Sequence, residues 1–486
     1  MISRRRFLQS SLTVALLPML PKLAVSADLR VRQSWPAFCT GPTYPSLLYA
    51  VQTMRANKTS TDPASWEYWA IVHRYNCPHG KPYFLSWHRG FLYRFEEMLR
   101  QVSGDPNLVL PYWNYYDQPT VPAEFLDSTS SLYRGDRQGT DVYGALSMDP
   151  FAPEITNFVR YTGATDAFEP QVEMHPHNPV HNLIGGVMAW IAYSPRDPLF
   201  WVHHANIDRL WVAWLNAGGG RHEPATTASY WDGDNFYGKA VDSMPRVWTR
   251  NTTVKLGYQY DDETMPAGLP ADPSPSATNA SVASTEAFSL GGTTARPAAV
   301  GNVALGASKP LDLDENSISV QVTLTPQDAN RVRSAMIQPA AVQPAAADST
   351  GPVRVVLDGV DVSGLGKKGG YFYKVFVNLP QQGVAAREER NFLVGMVGAF
   401  EISVAQMKAS MKGMQGMDMQ AMDHMSASGG AKARLVFPAT EALKRAWPDN
   451  LDQITVSFVR VDGRKRPTKG RVIHIDAFRL EADPAK

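Results

Sequence analysis

Residues 173–208 read EMHPHNPVHNLIGGVMAWIAYSPRDPLFWVHHANID and carry the histidine pattern that decides the fold. His177 and His181 are four residues apart, so on a helix they share one face and can both reach one metal ion. His204 follows 23 residues after His181, inside a second helical pattern of apolar residues, which suits an antiparallel neighbour. The stretch therefore predicts two helices that hold a site of three imidazoles.

A second histidine cluster lies nearer the N-terminus. His73 and His88 are predicted on two helices, with His79 on the loop between them. The helix that begins near His88 has an apolar side formed by Phe91, Phe95, Met98 and Leu99. We therefore expect two sites of three imidazoles each, packed in one helical domain.

The ligand types narrow the choice of metal. Imidazole suits zinc, copper, iron and nickel, and a site of three histidines is also known for zinc. Neither cluster carries a bridging Asp or Glu, which disfavours hydrolytic chemistry with two metal ions. A neutral set of nitrogen ligands suits copper that cycles between Cu(I) and Cu(II), so the spacing favours a copper pair and leaves zinc open.

The two clusters also carry a specific resemblance. The stretches HRYNCPH (73–79), FLSWHR (84–89) and RFE (94–96) resemble the first copper-binding region of tyrosinases and polyphenol oxidases. The stretches EMHPHNPVHNLIGG (173–186) and DPLFWVHHANIDRLW (197–211) resemble the second. The resemblance covers roughly residues 28–262, and Tyr258-Gln-Tyr260 near its end is similar to the tyrosine motif that closes that domain.

This resemblance implies a mainly α catalytic domain, a four-helix bundle around a dicopper site, with two copper ions as the cofactor. The copper ligands it implies are His73, His79 and His88 for the first ion and His177, His181 and His204 for the second. His203 is expected to face elsewhere, and His175 has no counterpart. Asp208, one helical turn after His204, is expected to support the site from behind the ligands.

The resemblance implies roles for four further residues. Cys77 is expected to form a thioether with His79 and so fix an imidazole that sits on a loop. Glu173 and Asn178 occupy the positions that hold a water for removing the proton of a bound phenol. Ile191 stands where many plant enzymes have a bulky Phe over the first copper, so we expect a more open entrance to the active site.

The C-terminal part has a different pattern. Residues 263–309 are rich in Ser, Ala, Thr and Pro and read as a linker, an accessible place for proteolysis. Residues 310–486 contain short alternating runs separated by turn residues, which predict a β-sandwich-like domain. They resemble, more weakly, the C-terminal domain of plant-type polyphenol oxidases, which shields the active site, and Tyr371, Phe372 and Tyr373 are the candidate plugs.

Residues 1–27 read as a signal peptide. Arg4, Arg5 and Arg6 precede a short apolar run and a small-residue cleavage site, and SRRRFL (3–8) resembles the twin-arginine export motif. We therefore expect a periplasmic or secreted protein with no membrane segment after cleavage. A formal net charge of +1, from 47 basic and 46 acidic residues, argues against nucleic-acid binding.

A Met-rich insertion, residues 405–430, interrupts the C-terminal domain. Seven methionines fall within 407–425, beside His424. Thioethers favour Cu(I), so the segment could deliver copper, whereas Met on the apolar face of a flexible helix is the alternative.

The function implied is that of a tyrosinase, with phenolic substrates and dioxygen as partners and latency until the C-terminal domain is removed. Two alternatives stay open. One is a catechol oxidase or o-aminophenol oxidase that does not hydroxylate monophenols. The other is a haemocyanin-like oxygen-binding protein, although carriers usually consist of many tandem units.

Overall fold

The computed structural model describes most of the chain. The described residues are 29–159, 166–273, 303–307, 310–337, 352–380, 386–411, 432–446, 451–463 and 467–482. The predicted signal peptide, most of the predicted linker and the Met-rich segment beyond Met411 lie outside the described residues. The domain boundaries given above therefore stay predictions.

Up to residue 273 the described chain is mainly helical. Its α-helices are α1 (Trp35–Phe38), α2 (Tyr44–Ala56), α3 (Trp66–Asn76), α4 (Phe84–Ser103), α5 (Phe168–Val172), α6 (Asn178–Ile184) and α7 (Pro198–Asn216). A π-helical stretch, Glu173–His177, joins α5 to α6. Helices α4 and α7 confirm the two helices predicted from the apolar spacing.

The sequence of α7 explains where this helix begins and ends. The side chain of Asp197 caps the first turn by accepting a hydrogen bond from Leu199 N at 2.8 Å, and Pro198 follows at the first helical position. Glycines 218–220 all have positive φ after the last turn, which ends the helix. Because α7 buries side chains all around its circumference, it is the central helix of the domain.

Helices α3, α4, α6 and α7 form the four-helix bundle that the family resemblance implied. Aromatic residues make its core: the Phe95 ring on α4 lies parallel to Trp201 on α7, while Trp66 and Trp69 of α3 meet both rings edge-on. Such close packing of rigid rings fixes the relative positions of the helices, and with them the positions of the histidines they carry.

A short two-stranded parallel sheet closes the helical domain. Strand β1 (Arg30–Arg32) pairs with β4 (Tyr258–Tyr260), and a second small pair joins β2 (Asp234–Asn235) to β3 (Met244–Pro245). The buried guanidinium of Arg32 donates to Glu96 on α4 at 2.8 Å. Strand β1 therefore contacts both β4, near the end of the helical domain, and helix α4 of the bundle.

From residue 303 onward the described chain is rich in strands. These are β5 (Val303–Ala307), β6 (Leu311–Leu313), β7 (Ile318–Thr323), β8 (Val353–Val362), β9 (Tyr371–Val377), β10 (Leu393–Gly398), β11 (Ala433–Pro438), β12 (Gln453–Asp462), β13 (Ile473–Ile475) and β14 (Ala477–Ala482). The helices in this part are α8 (Pro326–Ile337), α9 (Ala386–Glu389), α10 (Ala399–Met411) and α11 (Thr440–Arg445).

The strands form two antiparallel sheets that confirm the β-sandwich-like prediction. One sheet has the order β10-β9-β12-β7, and the other has the order β5-β14-β8-β13-β6, with β11 paired to β8. Phe458 of the first sheet meets Phe478 of the second, with ring centroids 6.4 Å apart. The inner faces of the two sheets therefore share one hydrophobic core.

The sheet-rich part also contacts the helical domain. Phe372 of β9 and Met396 of β10 are buried in the hydrophobic core of the helical domain. Helix α10 follows β10 directly and packs against α6. Among the described residues, no helix has both the length and the apolar character needed to cross a bilayer.

Candidate metal centre

Two groups of buried histidines lie inside the helix bundle. The first consists of His73, His79 and His88, and the second of His177, His181, His203 and His204. Within each group, one potential ligand atom per residue lies within 4.8 Å of those of the others. All six histidines predicted as copper ligands are therefore brought together in the two sets of three that the sequence suggested.

The bundle helices position these side chains. His73 lies on α3, His88 on α4 and His181 on α6, while His203 and His204 lie on α7. The remaining two sit on connecting segments: His79 on the loop between α3 and α4, and His177 at the end of the π-helical stretch.

Backbone carbonyls fix the orientation of three of the rings. The Nδ1 atoms of His73, His88 and His181 lie 3.1, 2.8 and 2.9 Å from the carbonyl oxygens of Ile191, Phe84 and Met188, respectively. An Nδ1–H that donates to a carbonyl leaves Nε2 as the lone-pair atom. Each of these rings thus presents Nε2 to its group.

The Nε2 atoms of these histidines lie close to one another. Among the described residues, they have no hydrogen-bond partner other than imidazole nitrogens. His73 Nε2 lies 3.4 Å from the Nε2 atoms of both His79 and His88, and His177 Nε2 lies 3.2 Å from that of His204. His181 Nε2 is buried and has no hydrogen-bond partner within the described ranges. Clustered lone pairs of this kind are what a bound cation needs, so the donor sets fit two metal ions.

The two groups face each other. The rings of His88 and His204 stack at 4.5 Å with an interplanar angle of 19°, and those of His79 and His177 lie 5.2 Å apart at 29°. A pair of ions held by these groups would therefore share one space between the helices.

Burial keeps the imidazoles in the form that binds metal. It lowers the pKa of His88 to about 3, with the hydrogen bond to the Phe84 carbonyl opposing the shift, and it lowers the pKa values of His73 and His177 well below the ordinary range. Neutral imidazole is the ligand form, so the site is ready for a metal at neutral pH.

Glu173 and Asn178 both touch the histidine groups. The Glu173 carboxylate accepts a hydrogen bond from Gly80 N at 2.6 Å and lies 3.2 Å from His79 Nδ1. Burial raises its pKa to about 7, and the Gly80 amide partly opposes this. Asn178 Oδ1 lies 2.7 Å from His177 Nδ1. Glu173 thus stands beside the first group and Asn178 beside the second.

Cys77 lies two residues before His79 at the end of α3. It is not in a disulfide, and neither is Cys39. Burial and the nearby Glu173 raise the pKa of the Cys77 thiol well above its ordinary value. The structure therefore keeps this thiol protonated beside the first group.

Asp208 lies in a buried cluster of charged and hydroxyl side chains. Its carboxylate accepts from Arg89 Nε at 2.5 Å and from the hydroxyls of Tyr258 and Tyr260 at 2.6 and 2.5 Å. Within the part of the chain that the structure describes, His204 Nδ1 has no hydrogen-bond partner. The partners of Asp208 in this cluster are arginines and tyrosines, and the expectation that it supports the site from behind the ligands stays a prediction.

Two further buried histidines, His175 and His203, were not predicted as copper ligands. His175 is buried but belongs to neither group, as expected. His203 was expected to face elsewhere, and this is wrong, because one of its ring nitrogens joins the second group. Adjacent residues on a helix usually point about 100° apart, which is why the spacing did not suggest it.

The side chain that covers the centre is Phe400, at the start of α10. Its ring centroid lies 4.3 Å from that of His181, 5.4 Å from His79 and 5.7 Å from His177. Phe400 is fully buried. An aromatic ring from the sheet-rich domain thus occupies the approach to both groups.

The prediction that Tyr371, Phe372 or Tyr373 supplies this ring is wrong. The Tyr371 hydroxyl donates to Gly366 O at 3.3 Å, and the Tyr373 hydroxyl accepts from Arg460 at 2.7 Å, so both stay within their own domain. Phe372 packs in the hydrophobic core instead. The physical reason is that β10 ends at Gly398 and α10 begins at Ala399, which places Phe400 against the histidines.

A network of hydrogen bonds holds α10 against the bundle. Asn182 Oδ1 accepts from Phe400 N, and Asn182 Nδ2 donates to Glu401 Oε2, both at 2.9 Å. Ile191 N donates to Ser403 Oγ at 3.1 Å. The predicted gate residue Ile191 is therefore buried under α10, and no sequence pattern had indicated Asn182 or Phe400, because their roles arise only from the contact between domains.

Comparisons with known proteins agree with this geometry. Residues 51–154 and 140–217 match the family model described as the common central domain of tyrosinase. Residues 303–423 match a domain of unknown function, DUF7868. The match to the first model includes all of the histidines that form the two groups.

Among curated proteins, a tyrosinase of Hahella sp. is 30% identical over 285 residues, which are 43% of this chain and 59% of that protein. A chloroplastic polyphenol oxidase of Malus domestica is 29% identical over 352 residues, 60% of this chain and 58% of that protein. The chain therefore aligns with less than two thirds of the length of these relatives.

Among solved structures, latent apple tyrosinase aligns with 95% of this chain and 99% of its own, with a TM-score of 0.52 and 21% sequence identity. At that identity the likeness concerns the fold, and it extends over both the helical and the sheet-rich parts.

Proposed function

The chain belongs, through its central domain, to the tyrosinase and polyphenol oxidase family of type 3 copper proteins, and on this premise we propose that it oxidises phenols with dioxygen. The reaction proposed is the hydroxylation of monophenols and the oxidation of o-diphenols to o-quinones. The observation that carries the proposal is the pair of facing histidine groups with converging Nε2 atoms.

The two histidine groups and Ile191 have separate roles in the proposed reaction. His73, His79 and His88 would hold one copper ion and His177, His181 and His204 the other, and the bound pair would supply the redox chemistry with dioxygen. The protein fixes the ligands through Nδ1, orients the phenol ring and excludes bulk water. Ile191, in the position of a gate, would leave the entrance to the centre more open than a Phe once α10 is removed.

The ability to remove the proton of a monophenol distinguishes a tyrosinase from a catechol oxidase. A phenol with a pKa near 10 must lose its proton before it binds copper. A general base is most effective when its pKa lies near the working pH, and that of Glu173 is about 7. Glu173 and Asn178, one beside each group, would hold the water that carries this proton, which supports monophenolase activity.

The experiment is oxygen consumption with L-tyrosine and with L-DOPA, on copper-loaded protein before and after mild proteolysis. We expect quinone from both substrates, with higher rates after cleavage. Activity on L-DOPA alone, before and after cleavage, would favour the catechol oxidase. Reversible oxygen binding without turnover would favour the haemocyanin-like carrier.

Latency is the second part of the proposal. The Phe400 ring and the hydrogen bonds of Asn182 support a shield that must leave before a phenol can enter. Cleavage in the linker 263–309 followed by release of the sheet-rich domain would expose the centre. The expected sign of this is a gain in rate that coincides with loss of the C-terminal fragment.

A thioether between Cys77 and His79 is also proposed. The bond would join Sγ to a ring carbon of His79, with loss of two hydrogen atoms to dioxygen at the copper site. Mass spectrometry of the peptide that contains both residues tests it: the copper-loaded protein should lack two hydrogens relative to the Cys77→Ser variant corrected for the substitution. An unmodified peptide after full copper loading would contradict it.

Export and copper delivery remain proposals drawn from the sequence. The SRRRFL motif supports the twin-arginine route, and its replacement by SKKKFL should abolish export if that route is used. The Met-rich segment supports copper delivery, and deletion of 412–425 leaves the described part of α10 intact. Unchanged copper loading of the deletion variant at limiting copper would refute delivery.

A further inference from the structure

Glu169 is a buried carboxyl group on α5 that takes no part in the proposed reaction. Burial of such a group is unfavourable unless hydrogen bonds satisfy it. Its Oε1 atom accepts from Leu85 N at 3.1 Å and from the Tyr230 hydroxyl at 2.9 Å. Leu85 lies in the first turn of α4, the helix that carries His88. The carboxyl group therefore contacts the start of a helix that holds one of the expected copper ligands.

This contact takes the place of an ordinary helix cap. The first N–H groups of an α-helix have no partner within the helix, and a side chain just before the helix usually accepts from one of them. Tyr83, the residue that precedes α4, makes no such hydrogen bond with its side chain. Glu169 supplies the acceptor from another helix instead. The start of α4 is therefore held by α5 and not by the residue that precedes it.

Glu169 and Glu173 act on the same segment of the chain. They lie four residues apart, on α5 and at the start of the π-helical stretch, so they share one face. Glu173 accepts from Gly80 N, and Glu169 accepts from Leu85 N. The two carboxyl groups thus bind both ends of the segment 80–85, which lies between two expected ligands of the first ion.

The segment needs this support because the backbone of Tyr83 is strained. Its φ is 77°, in the left-handed region that is unfavourable for a residue with a Cβ, and such residues persist only where their surroundings hold them. The Tyr83 ring packs against Tyr230, with centroids 5.0 Å apart, and the Arg246 guanidinium lies 3.8 Å from its centroid. Because Tyr230 donates to Glu169, this carboxyl group also holds one of the two side chains that pack on Tyr83.

His79 and His88 both depend on the position of this segment. His79 directly precedes it, and its Nδ1 atom lies 3.2 Å from the Glu173 carboxylate. The His88 ring is oriented by the carbonyl oxygen of Phe84, which lies in the same helical turn as Leu85. A shift of that turn would move the carbonyl group and, with it, the imidazole of His88.

We propose that Glu169 is a positioning residue for the first copper ion, which fixes this segment so that His79 and His88 present Nε2 to the same ion. Glu169 does not touch the metal and acts through Leu85 and Tyr230. Burial raises the pKa of Glu169 to about 8, so at neutral pH the group acts mainly as a neutral hydrogen-bond acceptor. The inference rests on copper binding by the first group and not on which phenol is oxidised.

Amide hydrogen exchange in the metal-free, full-length protein tests whether Glu169 holds the segment. In Glu169→Ala the amides of residues 80–88 should exchange at least about tenfold faster, while those of α7 stay unchanged. Glu169→Gln should restore most of the protection, since its amide oxygen can still accept. Ser65→Ala is the matched control: Ser65 is also buried and caps α3 by accepting from Glu67 N at 3.3 Å, and its loss should leave residues 80–88 unchanged. Unchanged exchange of 80–88 in Glu169→Ala, or an equal rise there and in α7, would overturn the proposal.

Copper retention tests whether the effect reaches the first ion alone. In a His181→Phe background one equivalent of Cu(II) is held by the first group, and in a His73→Phe background by the second. Glu169→Ala should speed removal by a chelator at least about tenfold from the first group and leave the second unchanged, and Glu169→Gln should restore slow removal. Equal acceleration in both backgrounds, or none in the first, would contradict the proposal. Neither readout involves a phenol, so a failure of the proposed oxidation would not affect them.

Discussion

The ring of Phe400 lies parallel to the imidazole of His181, with centroids 4.3 Å apart and an interplanar angle of 16°. Phe400 comes from the sheet-rich domain and His181 from the helix bundle, so this stacking joins the two parts of the chain at the metal centre. A planar aromatic ring in this place occupies the volume that a phenol would need. Access to the centre should therefore depend on how firmly α10 is held.

Phe400→Ala should raise the activity of the uncleaved protein toward L-DOPA. Removing the ring opens the approach to His79, His177 and His181 while the copper ligands stay in place. We expect an increase of at least about tenfold in kcat/KM, equivalent to about 1.4 kcal/mol. After proteolytic removal of the shield, variant and wild type should be equal, because the substitution leaves with the fragment.

Phe372→Ala is the matched control for that variant. Phe372 is also a buried phenylalanine of the sheet-rich domain, but it packs in the hydrophobic core rather than on an imidazole. Both truncations should destabilise the fold by about 3–5 kcal/mol. An equal gain of activity in both variants would mean that general loosening, and not an open pocket, causes the effect.

Gly398→Ala should weaken the attachment of α10 by displacing the side chain of Asn182, while no residue of the catalytic domain is itself substituted. A Cβ at this position would lie 2.5 Å from Asn182 Oδ1, the atom that accepts from Phe400 N. The amide must then move, and the hydrogen bonds to Phe400 and Glu401 are strained together. We expect faster proteolytic release of the shield and higher activity of the intact chain. Gly364→Ala, with no atom within 4 Å of its added Cβ, should change neither.

Latency should weaken as the pH rises. Burial raises the pKa of Glu401, and the hydrogen bond from Asn182 partly opposes this. In the released shield the carboxyl would return to an ordinary pKa of about 4.3. The closed form therefore binds the Glu401 proton more tightly, is favoured at low pH and loses this advantage as the pH rises through the raised value.

Glu401→Gln tests the origin of that dependence. The amide oxygen can still accept from Asn182 but cannot ionise, so the ratio of intact to cleaved activity should vary less between about pH 5 and pH 8 than in the wild type. Glu173 is the other carboxyl whose charge affects this region, and it remains in both the intact and the cleaved enzyme. An unaltered pH profile of the ratio would exclude Glu401 as its source.

The sequence predicted what depends on local spacing and missed what depends on contact between domains. The i, i+4 pair His177 and His181 and the apolar faces of α4 and α7 follow from helix periodicity, which predicted helices that carry two sites of three imidazoles, while the four-helix bundle and the six copper ligands were implied by the family resemblance. His203 and Phe400 could not be assigned in this way. The orientation of His203 depends on how α7 is rotated in the bundle. The position of Phe400 depends on β10 ending at Gly398, directly before α10 begins.

Asp208→Asn should destabilise the catalytic domain strongly. Burial alone would raise the pKa of Asp208, but Arg89 and Arg32 hold it below the ordinary value. Removing the charge leaves buried guanidinium groups without full compensation, which costs about 3–5 kcal/mol. The partly exposed pair of Arg94 and Glu97, 2.9 Å apart, offers the comparison, since Glu97→Gln should cost less than about 1 kcal/mol. Denaturant unfolding of both variants measures the difference.

Asn178→Ala should depress phenol hydroxylation more than catechol oxidation. Its Oδ1 lies 2.7 Å from His177 Nδ1, so the substitution frees that imidazole and also removes the amide proposed to hold the proton-accepting water. Freeing the His177 imidazole should slow both reactions, because both need His177. Losing the amide that holds the water should slow only the reaction of the monophenol, which must lose its proton at the site.

The decisive quantity is therefore the ratio of kcat/KM for L-tyrosine to that for L-DOPA, measured on the cleaved enzyme at equal copper content. We expect this ratio to fall at least about tenfold in Asn178→Ala, within the range of about 10² to 10⁴ that general base catalysis contributes. Asn178→Asp keeps an oxygen at the same place and should retain more of the ratio. Equal loss of both activities would leave Asn178 with the task of orienting His177 and would remove its role in proton transfer.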